Sequence, residues 1–174
     1  MRRIQPVSPL QYFTRLLLLP VLLLSVACTA LMDPFEGSDG VRANINGHKC
    51  VMDGNPGEKY VQYDAENHTL SVSVSMWQGY DSSRFRLVLT VQDAAPLTTG
   101  VRYHVSLKGS TTATLTGMSD SPNEAVSLVG WIEFLQLGAD QEIVEAEFEM
   151  TGTAPKSNVD YDVRHGFLRL YKEL

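Results

Sequence analysis

From Val41 onward, apolar and polar residues alternate with a period of two. Leu70, Val72, Val74 and Met76 interleave with Ser71, Ser73 and Ser75, and Phe85, Leu87, Leu89 and Val91 with Arg84, Arg86 and Thr90. Val101, Tyr103, Val105 and Leu107 alternate with Arg102, His104 and Ser106; Val144, Ala146, Phe148 and Met150 alternate with Glu145, Glu147 and Glu149. A strand sends successive side chains to opposite faces, whereas a helix would smear both sets around its circumference, so these segments predict half-buried strands. The pattern places strands near 41–46, 48–53, 60–64, 68–77, 84–92, 101–107, 111–116, 125–137, 142–151 and 166–172, with no amphipathic helix.

Turn chemistry falls between them. Asn46-Gly47 is the strongest hairpin signal, since both residues tolerate positive φ. Asp53-Gly54-Asn55-Pro56-Gly57, Ala94-Ala95-Pro96, Lys108-Gly109-Ser110 and Gly138-Ala139-Asp140 punctuate the remainder. Parallel strands need crossovers of about a dozen residues, and these connections are shorter, so the sheet is expected to be antiparallel. Strands with one apolar face must close on themselves or stack. The expectation is a single all-β antiparallel domain of about 8–10 strands, either a meander-rich sandwich or an up-and-down, calycin-like barrel. Large inward residues (Phe85, Leu87, Leu89, Phe148) favour a filled interior.

The first forty residues follow other rules. Arg2, Arg3 and Arg15 precede an apolar run from Leu16 to Ala27 that ends on small residues, the layout of a secretory leader over 1–27. The run is too short to span a ~30 Å hydrocarbon core, which needs about 20 apolar residues. Leu-Leu-Ser-Val-Ala before Cys28 resembles the lipobox of bacterial lipoproteins, in which the cysteine is acylated and becomes the mature N-terminus. Ser25-Val26-Ala27 also satisfies the small-x-small rule of ordinary signal peptidase, and both readings cut at the same bond. Residues 28–40 read as a lipidated N-terminus and tether, and 41–174 as the β domain. Acylation would anchor the protein to a membrane, in an outer-membrane or periplasm-facing position.

Cleavage changes the charge. The chain of 174 residues has 14 Lys+Arg and 20 Asp+Glu; removing three arginines and no acid leaves 11 against 20, a mature net charge of −9. A phosphate backbone repels such a surface, which argues against a nucleic-acid partner. Only Cys28 and Cys50 exist. With Cys28 acylated, Cys50 is expected to be a small buried apolar side chain; without a lipid, a Cys28–Cys50 bridge becomes available.

Ile45-Asn46-Gly47-His48-Lys49, following the lipobox, resembles the V-N-G-K-x-W opening of small all-β lipoproteins of Bacteroidota. Gly130-Trp131-Ile132-Glu133-Phe134, the segment Ile143 to Met150, and His165-Gly166-Phe167-Leu168-Arg169-Leu170 resemble that group's later strands. The resemblance implies an all-β envelope lipoprotein of unassigned function and contributes no catalytic residue.

Candidate chemistry is sparse. His48, His68, His104 and His165 show no metal-ligand spacing, no cofactor motif is present, and there is no Gly-x-Ser-x-Gly. Asp160-Tyr161-Asp162-Val163-Arg164-His165 reads as a solvated turn with local ion pairs, and the Glu145, Glu147 and Glu149 stripe as a solubilised edge. The least ordinary feature is Trp77-Gln78-Gly79-Tyr80-Asp81, where two rings bracket a glycine beside an amide and a carboxylate. Trp77, Gln78, Tyr80 and Asp81 are the candidate contacts for a glycan or envelope-protein partner, because rings offer contact area at low entropic cost. Trp77 falls on the serine parity, outside the core. The functional expectation is a non-enzymatic binding or assembly-support module. A calycin-like carrier of a small apolar ligand is the alternative, and an enzyme ranks third.

Overall fold

The computed structural model describes residues 40–52, 59–78, 83–137 and 143–171. Cys28, the leader, and the turns expected at 53–57 and 138–140 lie outside the described residues. Among the described residues ten strands form: β1 (Gly40–Ile45), β2 (His48–Met52), β3 (Lys59–Asp64), β4 (Thr69–Gln78), β5 (Ser83–Gln92), β6 (Arg102–Val105), β7 (Thr112–Met118), β8 (Ser121–Gln136), β9 (Ile143–Thr153) and β10 (Asp160–Tyr171). Every pairing is antiparallel, as the short connections demand.

The sheet closes on itself. The order β1-β2-β4-β5-β7-β8-β9-β10 runs around a ring of eight strands, and β10 returns to pair with β1. β3 continues along β4 beyond β2, and β6 continues along β8 beyond β7. Each of these two pairs is one stave of the barrel, interrupted by an excursion. The fold is therefore an up-and-down antiparallel barrel and not a sandwich. Asn46 and Gly47 take φ of 51° and 83° at the first hairpin, as expected of that dipeptide.

The apolar parity of each strand points inward. Ile45, Leu70, Met76, Leu89, Leu115, Ile132, Phe134, Phe148 and Leu168 are all fully buried. A barrel of about eight strands is just wide enough to be filled by side chains or to hold one small ligand. Here the side chains fill it: Leu70, Val74, Met76, Val91, Ile132, Phe134, Leu168 and Leu170 each have 0% of their surface reachable by water. Cys50 is among the buried residues, as expected of a free thiol. Its Sγ donates to the His48 carbonyl at 3.5 Å, and burial pushes its pKa up to about 11, so the thiol stays protonated and unreactive.

Two sequence expectations are corrected. Asp160 to His165 is not a turn but the first half of β10, with Tyr161 and Val163 inward and buried. The local ion pair is present, Arg164 Nε donating to Asp162 Oδ1 at 2.7 Å. The alternation slips because β10 carries a bulge: Val163 pairs with Met150 and Gly166 with Phe148, so Arg164 and His165 together oppose Glu149. His165 accommodates the extra residue at φ 51°. The glutamate stripe is also not an edge. β9 lies between β8 and β10, where Glu145 pairs with Arg169 and Glu149 lies 3.9 Å from Arg164.

Candidate outer groove

Among the described residues the inward side chains are buried, and the concavity described here lies on the outer face. On the outer parity of β8, the residues opposite Val126 and Leu128 are Ala125, Ser127 and Val129. Val129 pairs with Thr151 of β9, and Thr151 and Thr153 pair with Asp162 and Asp160 of β10. These outward side chains are short and most are uncharged, so the sheet surface sinks into a trough. Leu107, from the excursion between β6 and β7, stands on one side at 63% exposure; Asn46 and Pro155 stand on the other. The resulting open groove has a volume of about 720 Å³. That lies within the range of small-molecule sites.

Its polar groups are held in place. Thr153 Oγ1 donates to Asp160 Oδ1 at 2.6 Å, and Arg164 Nε to Asp162 Oδ1. Asn46 clamps the same strand, its Nδ2 donating to the Asp160 carbonyl at 2.8 Å and its Oδ1 accepting from Asp162 N at 2.7 Å. Each carboxylate commits Oδ1, and neither Oδ2 accepts a hydrogen bond among the described residues. The wall carrying Pro155 is fixed by Glu124, which accepts from the backbone N–H groups of Lys156 and Ser157 at 2.7 and 3.0 Å. Those bonds, the Lys156 one foremost, hold the Glu124 carboxyl below its ordinary range.

A smaller cleft of about 280 Å³ lies further along the same face, between Trp131, Phe167, Glu147, Glu149 and His165. Its aromatic faces are already covered. The Arg102 guanidinium sits 4.1 Å from the Trp131 ring centre and Arg42 sits 5.4 Å from that of Phe167. Arg102 also pairs with Glu133 at 2.9 Å. This is an internally satisfied surface network. His48, His104 and His165 are exposed. Among the described residues no three His, Cys, Asp or Glu side chains come together to hold a metal ion.

Trp77 and Gln78 close β4, while Tyr80 and Asp81 lie outside the described residues. Trp77 faces outward, as its parity required, and is half-buried beneath Arg84, whose guanidinium is 5.3 Å from the ring centre. Val51 is its cross-strand neighbour. Gln78 takes the opposite parity, next to Cys50 across the pair with β2, and its Oε1 is shielded from water without a hydrogen-bond partner among the described residues. The two residues thus point to different sides of the sheet, and neither lines the groove. A ring covered by one guanidinium is a modest contributor, so Trp77→Ala should cost about 1–2 kcal/mol in a denaturant melt. A buried aromatic would cost about 3–5 kcal/mol, and a loss of that size would show that the ring is a structural plug.

The groove residues carry little signal in the sequence. Ala125, Ser127 and Val129 are an uncharged outward run, but only the pairing of three strands and the overhanging Leu107 turn them into a concavity. Comparison with known proteins finds no matching family model, no matching curated protein and no matching solved structure.

Proposed function

We propose that this chain is an exported, lipid-anchored envelope protein whose barrel is a non-enzymatic binding module, engaging its partner through the outer groove. The observation that carries this reading is an open groove on the outside of a barrel whose described lumen-facing side chains are buried against one another. A carrier of the calycin kind would need a hollow, and the side chains that occupy the lumen speak against it. The leader-like first 27 residues and the lipobox-like approach to Cys28 support export and anchoring. The buried, protonated Cys50 offers no nucleophile. The chain enters the barrel at Gly40, beside Arg169 near the end of β10, whereas the groove lies by Asp160 at the start of β10.

Two measurements test this reading. The intact mass of the full chain extracted from bacterial envelopes should include a diacylglyceryl addition that Cys28→Ala removes. An unmodified species bridging Cys28 to Cys50 would refute the anchor. A photo-crosslinking residue at Val129 should trap an envelope component, and one at Val88 on β5 should not. The two positions are 36% and 37% exposed, so they are matched for accessibility. Equal trapping at both, or none at either, would refute the groove as the contact surface.

A further inference from the structure

Resting on the reading of the groove as the contact surface, we propose that its ligand is an uncharged glycan. The donor set decides the chemistry. An anion would meet Asp160 and Asp162 with no basic side chain among the groove's lining residues. A metal ion would find two carboxylates, each already using one oxygen on Thr153 or Arg164. A lipid chain would bury hydroxyls and carboxylates against hydrocarbon, at a cost that nothing in the groove offsets.

A sugar ring satisfies every group. Its adjacent hydroxyls donate to the free Oδ2 atoms of Asp160 and Asp162, and bonds to an ionised acceptor are roughly twice as strong as neutral ones. The Ser127 and Thr151 hydroxyls can each donate or accept, and the Thr153 hydroxyl, its proton on Asp160, still accepts, which suits a partner made of hydroxyls. The C–H face of the ring has Leu107 and Val129 to cover, two exposed aliphatic side chains that otherwise lie against water. The groove is open, so a single ring binds weakly. Successive residues of a polymer would engage together, which raises avidity without any new kind of contact.

The experiment follows backbone amide shifts of the detergent-solubilised chain during titration with cellohexaose and, separately, chitohexaose, with hexalysine as the charged control. At least one sugar should shift the amides of Ser127, Val129, Thr151 and Thr153. Asp160→Asn combined with Asp162→Asn should weaken that response at least tenfold, and Val129→Lys should abolish it, while the spectra themselves report that both variants remain folded. Hexalysine should leave these amides in place. The proposal is overturned if neither sugar moves them, if the shifts map elsewhere, or if hexalysine moves them more strongly, which would mark a basic peptide as the ligand. Crosslinking at Val129 without a sugar response refutes the glycan and leaves the groove as a contact surface. Loss of both refutes the two together.

Discussion

Phe148→Ala should destabilise the barrel by about 3–5 kcal/mol, a large share of the 5–15 kcal/mol that holds an ordinary domain together. Phe148 is 1% exposed, lies on the inward face of β9 and is flanked by Ile132 of β8 and Gly166 of β10. Its ring lies flat against the glycine: a Cβ on Gly166 would stand 2.3 Å from two atoms of that ring. The same contact makes the second residue informative. Gly166→Ala alone should also be costly, because ring and methyl cannot share the space. In the Phe148→Ala background the ring is gone, and the added methyl should recover part of the lost stability. Chemical denaturation of both single variants and the double variant gives the coupling directly. Strictly additive losses would show that the two sites do not touch in solution.

Gly130→Ala should cost at least about 3 kcal/mol, and no neighbouring truncation should relieve it. Here the added Cβ meets main chain: it would lie 2.1 Å from the Glu149 carbonyl oxygen and 2.7 Å from the Met150 Cα. Gly130 also sits at φ 156°, where a side chain is strained whatever space surrounds it. β8 and β9 must separate, at the point where β8 changes partner from β7 to β6. Thermal melts of Gly130→Ala, alone and combined with Met150→Ala, provide the check. Rescue by the second substitution would contradict the backbone origin of the clash.

The strands were legible because period-two alternation survives wherever one face is buried: each of the ten expected segments holds a strand, although the one expected over 101–107 is only Arg102–Val105, with Val101 and Leu107 exposed outside it. Legibility failed at particular irregularities. The bulge at Arg164–His165 shifts the parity of β10, so its first half imitates a polar turn. Ser121-Pro-Asn-Glu looks like a connection, yet β8 begins at Ser121, whose hydroxyl is buried 2.8 Å from the Tyr161 hydroxyl. Barrel could not be told from sandwich because closure resides in the β1–β10 and β2–β4 pairings, and neither leaves a local mark. The outward settings of Trp77 and Trp131 were readable from parity, but the guanidinium covering each ring was not. Arg84 opposes Trp77 across one pair of strands, whereas Arg102 reaches Trp131 across another from a position paired with Glu133. The groove was hidden for the same reason as the closure: its parts come from strands that only the finished ring brings together.

The meeting of β1 with β10 also sets the order in which the molecule can come into being. Asn46 accepts from the amide of Asp162, a residue 116 positions later in the chain. β1 therefore waits for β10 before that edge is satisfied. Until then β1 and β9 each expose a row of unpaired backbone groups, and closing so long a loop carries an entropic cost that no local contact repays. Folding of such a topology is slow and commits late. A chain cut before Asp160 would therefore keep both of these edges open, however well its other hairpins pair.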